Sequence, residues 1–146
     1  MTSFTPHITV ATIIERAGRF LFVKEHADRR IVLNQPAGHL EMDESLIQAA
    51  ARETLEETGW DVEITHLVGI YLYTAPNNTT YQRVCFAGRA LQQRKNHRLS
   101  EEIIKPVWLS RDELLEQREL WRSPLLLRSL DDYLSGSLHP LEILKD

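Results

Sequence analysis

Residues 45–58 constrain this chain more tightly than any other segment, because they read as a helix that ends in acids. Ser45 and Gln48 fit a capping box. Leu46, Ile47, Ala50, Ala51 and Leu55 supply an apolar stripe at helical spacing. Gly59 suits the left-handed residue just past the end, and Trp60 is then placed to pack back on Leu55 in a Schellman arrangement. Glu53, Glu56 and Glu57 stand at i, i+3 and i+4, so a helix puts all of them on one face. Like charges four residues apart repel by about 0.2–0.5 kcal/mol. The last turn also carries the negative end of the helix dipole, where an acid loses about 0.3–1 kcal/mol. Arg52 offsets part of this through an i, i+4 pair with Glu56. A solvated face tolerates such a cluster. A site for a hard divalent cation, which takes oxygen ligands and keeps substrate phosphates in its shell, uses it.

Strands surround this helix. His7 to Ile14 is β-rich, Glu15 to Arg19 supplies a turn, and Phe20 to Lys24 returns, which predicts a hairpin. Glu25 to Arg30 reads as a charged loop, followed by a short extended piece around Asn34-Gln35-Pro36. Residues 61–75 and 81–91 read as two strands around an Asn-Asn turn, and Val107 to Leu109 as a shorter one. Arg111 to Gln117 and Ser123 to Leu134 read as helices, the second closed by Ser135-Gly136. The order predicts a single α/β domain over residues 1–146, a mixed sheet covered by helices.

With 42% hydrophobic residues in 146, the chain can build a core without disulfides. Its one cysteine, Cys85, lies in an apolar run and reads as a buried, inert thiol. The net charge of −4, without a basic block, argues against nucleic acid or an anionic membrane as partner. An anionic substrate must then be met locally, by a cation or a few arginines. The N-terminal Met1 to Pro6 lacks the pattern of a targeting signal, and no apolar run approaches a membrane span. The Asn77 and Asn78 sequons then read as a turn, and a cytoplasmic protein is the expectation.

The surroundings of the acids decide between the two uses of the cluster. Gly38 is followed by five residues and Glu44, then seven residues and Arg52-Glu53-Thr54-Leu55-Glu56-Glu57-Thr58-Gly59-Trp60. At ordinary residue frequencies, the seven fixed types at these spacings arise by chance about once in 10⁸–10⁹ windows. Residues 38–60 resemble the Nudix box, with Thr54 and Trp60 standing where the pattern asks for aliphatics. Segments 6–11, 34–41, 122–125, 133–136 and 140–142 are further similar to the NudJ-type phosphatase branch of that family.

The resemblance implies a Nudix α/β/α sandwich with a mixed sheet. It implies magnesium, with manganese as the alternative ion, held by Glu53, Glu56, Glu57 and the Gly38 carbonyl. Arg52 and Glu44 would pair to hold the carboxylates. The implied activity is cleavage of phosphoanhydride bonds in nucleoside triphosphates and diphosphates, and in hydroxymethylpyrimidine pyrophosphate. The alternatives are a pyrophosphohydrolase of another linked diphosphate, such as ADP-ribose or an oxidised nucleotide, and a non-catalytic nucleotide-binding module. The partner is a free small molecule, and the chain is expected to be a monomer, with a dimer as the alternative.

In such a hydrolase water attacks phosphorus in line, and a carboxylate takes its proton. Glu53 is one candidate base. Glu101 and Glu102 are others, with Glu102 preferred. Arg83 reads either as a bidentate phosphate ligand or as a plain edge-strand arginine. Arg29 and Arg30 lie where a loop could close over phosphates, although surface charge is the stronger reading. His39, beside Gly38, lines the site or makes a structural hydrogen bond, and His7 sits in another matched segment. Tyr71, Tyr73 and Trp108 could stack on a base but read better as core.

Overall fold

A near-continuous run of small and apolar residues suits the first strand to the centre of the sheet. β1 (His7–Arg16) buries Val10 through Ile14 on both faces, the pattern of a strand covered on two sides. It turns at Ala17-Gly18 into β2 (Arg19–Ala27), the expected hairpin. This computed structural model describes residues 3–146; Met1 and Thr2, the start of the segment read for a targeting signal, lie outside the described residues.

The charged stretch from Glu25 to Arg30 is not a loop. β2 continues to Ala27, turns at Asp28-Arg29, and returns as β3 (Arg30–Asn34), with Glu25 opposite Val32. The strand is extended because β2 is paired on both sides, by β3 and by β7 (Ile103–Leu109), so its backbone groups are satisfied beyond Lys24. β4 (Ala37–His39) pairs with β1 and leads into α1 (Leu46–Thr58). Ser45 and Gln48 form the capping box, and Gly59 takes the left-handed conformation at φ 77°.

Trp60 departs from expectation. It opens β5 (Trp60–Thr74) and packs against Ile14, Leu21 and Trp108 rather than on Leu55. Its N–H bonds Thr58 Oγ1, so the helix ends in a single Gly59-to-Leu55 bond. The aromatic ring fills the space between sheet halves where the box pattern asks for an aliphatic. β5 and β6 (Thr80–Gln93) form the hairpin around the Asn-Asn turn.

The strand order is β3-β2-β1-β6-β5, with β4 on β1 and β7 on β2. β1 and β6 are parallel and the other pairs antiparallel, so the sheet is mixed. α1 covers one face through Val10, Ala49, Ala50, Ile64, Val84 and Phe86. α2 (Arg111–Glu116) and α3 (Leu125–Leu134) cover the other through Leu114, Leu126 and Leu130 over Ala11, Ile13 and Cys85. α3 starts at Leu125, two residues later than read, because Ser123 Oγ accepts the Leu125 N–H from outside the helix.

Gly59→Ala tests the helix stop alone. An added Cβ meets nothing closer than 3.6 Å, so the cost is the left-handed backbone, about 1–2 kcal/mol. Urea unfolding should shift by that amount at unchanged m-value.

Candidate active site

α1 packs its last turns against β4, and this contact builds the site. The Ala37 N–H donates to Glu57 Oε1 at 2.9 Å. Glu53 lies over Gly38 so closely that a Cβ there would stand 2.1 Å from its carboxyl carbon. Gly38 is therefore required by proximity rather than by a turn.

Arg52 organises the other acids. Its fork takes both oxygens of Glu44, at 2.9 and 2.7 Å. The same guanidinium bonds Glu53 at 2.9 Å, Glu56 at 3.1 Å and the His39 carbonyl at 3.1 Å. The Arg52 hydrogen bond holds the Glu44 carboxyl below its usual range. The loop 39–44 and the helix are thus joined through one side chain, the pairing expected of Arg52 and Glu44.

Glu57 is 4% exposed. Burial pushes its carboxyl up to about 9, and the charges of Glu25, Glu53 and Glu102 push the same way against the Ala37 amide. Glu53 is also raised, first by burial. Four acids therefore bear on one buried spot, which a proton or a cation must neutralise. Carboxylate oxygens with a backbone carbonyl alongside are a donor set that fits magnesium or manganese. Among the described residues, no group of three acidic, histidine or cysteine side chains yet converges with metal-holding geometry. Arg52 engages Glu53 and Glu56 instead, so gathering them on an ion requires those side chains to turn.

Glu102 is exposed, and its carbonyl accepts the His26 N–H beside Glu25. Its neighbour Ser100 donates its N–H to the Glu56 carbonyl, which docks this loop on the end of α1. Of the two candidate loop acids, Glu102 is the one whose charge acts on Glu57. Arg83 is not an edge arginine. β6 is an interior strand, and Arg83 is 7% exposed, bonded to Asn34 Oδ1 and Gln35 Oε1, with its Nε unpartnered. Arg29 is exposed at the tip of the β2–β3 turn and makes no ion pair among the described residues. Tyr71 is core, its hydroxyl bonded to Asp132, and Trp108 packs on Trp60. Cys85 is buried, and burial pushes its thiol up to about 11, as an inert cysteine requires.

Three site residues went unseen in the sequence. Glu25 is 2% exposed and pairs with Arg122. Asn34 and Gln35 carry Arg83, and Gln35 continues to Ser129 at 2.8 Å. The alternation Leu21, Val23, Glu25 was the available signal, since it continues β2 inward through an acid. Arg122 lies far along the chain and reaches Glu25 only through the fold.

Arg52→Ala leaves Glu44, Glu53 and the His39 carbonyl without their partner. Loss of such a supporting group costs about 10–100-fold in activity or metal affinity. Arg52→Lys keeps the charge without the fork and should remain well below wild type in kcat/KM.

The NUDIX domain model matches residues 4–129. The chain is 40% identical over 143 residues to the Escherichia coli protein named "Phosphatase NudJ", covering 98% of this chain and 93% of that one. The Shigella flexneri protein of the same name matches to the same extent. A solved NUDIX hydrolase from Nitrosomonas europaea is 41% identical, covers 97% of each chain, and superposes with a TM-score of 0.95. Together with a box helix whose Arg52, Glu53 and Glu57 meet Glu44, Gly38 and Ala37 in space, these matches show that the chain belongs to the Nudix hydrolase family.

Proposed function

We propose that this Nudix hydrolase removes phosphate from nucleoside triphosphates and diphosphates, and from hydroxymethylpyrimidine pyrophosphate, with magnesium, or alternatively manganese, at Gly38, Glu53, Glu56 and Glu57. The observation that carries this is the buried Glu57, set among Glu25, Glu53 and Glu102 and holding the Ala37 N–H of β4, with Glu53 beside it over Gly38. The name and coverage of the phosphatase relatives support removal of phosphate. The ion, when bound, neutralises polyphosphate charge and activates water.

The protein's own groups do the rest. Arg52 and Glu44 fix the loop and helix that carry the ligands. Glu102, exposed at the rim, takes the proton of the attacking water, with Glu53 the other candidate. Arg83 fixes Asn34 and Gln35 from beneath the site and presents positive charge to the phosphates. His39 lines the entrance, and Arg29 stands at the hairpin tip as a further phosphate contact. The same proposal has one domain acting as a cytoplasmic monomer on a free small molecule. Among the described residues no helix is long and apolar enough to cross a membrane.

A phosphate assay with magnesium tests this on nucleoside triphosphates, diphosphates, ADP-ribose and hydroxymethylpyrimidine pyrophosphate, each with and without inorganic pyrophosphatase. Phosphate without the added enzyme is the expected result. Phosphate only with it would make the chain a pyrophosphohydrolase, and silence in every reaction would overturn the proposal.

A further inference from the structure

Three aromatic rings meet at one end of the sheet. His7 pairs with Tyr81 across the parallel β1–β6 ladder, and His39 of β4 pairs with Thr9 of β1. The His7 ring lies 5.6 Å from that of His39 and 5.7 Å from that of Tyr81, and His39 lies 6.4 Å from Tyr81. All three contacts are edge-to-face. His7 and His39 are exposed and Tyr81 is half-buried, so the rings are not part of the core.

The register places this trio on the face that carries Arg83, one step along β6. It also joins the box directly. The His39 carbonyl is held by Arg52, while its side chain stands with His7 and Tyr81. The ring of His39 thus belongs to the residue directly after Gly38, where Glu53 makes its contact. Arg122 flanks them: its side chain is 49% exposed, paired with Glu25, and its N–H bonds the Leu33 carbonyl. Burial, and then the charges of His7 and Arg122, hold the His39 imidazole below its usual value. Exposed aromatic rings on the face that carries the Arg83 guanidinium, next to the acids of the box, match a substrate with an anionic end and a planar, apolar-faced end.

We propose that His7, His39 and Tyr81 form the subsite for the planar nitrogen heterocycle of the substrate. The phosphate chain then runs from this platform past Gly38 toward Glu53 and Glu57. The inference rests on the phosphohydrolase reading for that direction, but ring binding is measurable without turnover.

The test uses Tyr81→Leu, Tyr81→Phe and His7→Ala. Aromatic stacking on a base is worth about 1–3 kcal/mol, so Tyr81→Leu should weaken AMP and CMP binding roughly tenfold in calorimetric titration of the metal-free protein. Tyr81→Phe keeps the ring and should retain affinity. His7→Ala, at an exposed position, should show the same weakening and serves if Tyr81→Leu does not fold. In turnover, KM for ATP should rise with kcat nearly unchanged, while inorganic tripolyphosphate, which has no ring, keeps its kcat/KM. Stronger weakening for AMP or for CMP identifies a purine or a pyrimidine as the preferred ring. Unchanged monophosphate affinity in Tyr81→Leu and His7→Ala, or no binding by the wild type, overturns the subsite. Binding of monophosphates without hydrolysis of any tested substrate would instead overturn the phosphohydrolase reading and leave the subsite standing.

Discussion

Glu57→Gln should lower kcat by about 10²–10⁴-fold on any substrate the wild type turns over, the range spanned by loss of a positioned catalytic group. The fold should survive. The glutamine amide has nearly the same shape, and its oxygen can still accept the Ala37 N–H that Glu57 Oε1 accepts at 2.9 Å. What disappears is a carboxyl that can give up its proton to a cation, and with it the ability to hold a cation at that point. Metal-free stability should move the other way. Burial pushes the Glu57 carboxyl up to about 9 from an ordinary value of 4.5. Between those pH values the folded protein keeps a proton that the unfolded chain has lost, so stability falls as pH rises through that window. Below 4.5 both states are protonated and the penalty is absent. Glu57→Gln removes this slope, and its unfolding midpoint without metal should exceed the wild type's near pH 8. Equal turnover in variant and wild type would remove Glu57 from the chemistry.

Gly38→Ala should be nearly as damaging by a different route. The added Cβ would stand 2.1 Å from Glu53 Cδ and 2.2 and 2.4 Å from its carboxyl oxygens. Non-bonded heavy atoms cannot share that distance, so Glu53 must leave its place or β4 must shift from α1. Either movement displaces Glu53 from its place over Gly38 and disturbs the Arg52–Glu53 bond of 2.9 Å. Activity should fall by at least about 10²-fold, the scale of a 1 Å misplacement. Stability should fall by about 1–3 kcal/mol, the usual cost of overpacking. Wild-type kcat/KM in this variant would show that Glu53 works from another position.

The helix and its acids were legible because their signals are local. A capping box, a left-handed glycine and i, i+3, i+4 spacing all lie within fifteen residues, and each was found where expected. The Arg52–Glu44 pair was legible through resemblance, and the distances agree. What stayed hidden depends on contacts between distant segments. Arg122 meets Glu25 across 97 positions, and Gln35 meets Ser129 across 94. Glu25 looked like loop charge because an acid in a strand is uncommon, yet pairing on both sides carries β2 past it. Arg83 read equally as a phosphate ligand and as an edge arginine, and its burial stayed hidden because a buried arginine needs acceptors that sequence spacing cannot supply; Asn34 and Gln35 provide them. Trp60 satisfied the spacing of a helix stop, but its ring found larger apolar partners in Ile14, Leu21 and Trp108.

The most direct measurement is the unfolding midpoint of wild type and Glu57→Gln between pH 6 and 9, with and without magnesium. A ligand at roughly a hundred times its Kd stabilises the folded state by about 2.7 kcal/mol, which for a chain of this size is roughly 5–10 °C. The wild type should gain such a shift, larger toward pH 9 as the proton on Glu57 ceases to compete, and Glu57→Gln should gain little at any pH. Equal magnesium shifts in the two proteins, or none in either, would contradict the account, because the buried acids of α1 would then not be where the cation binds.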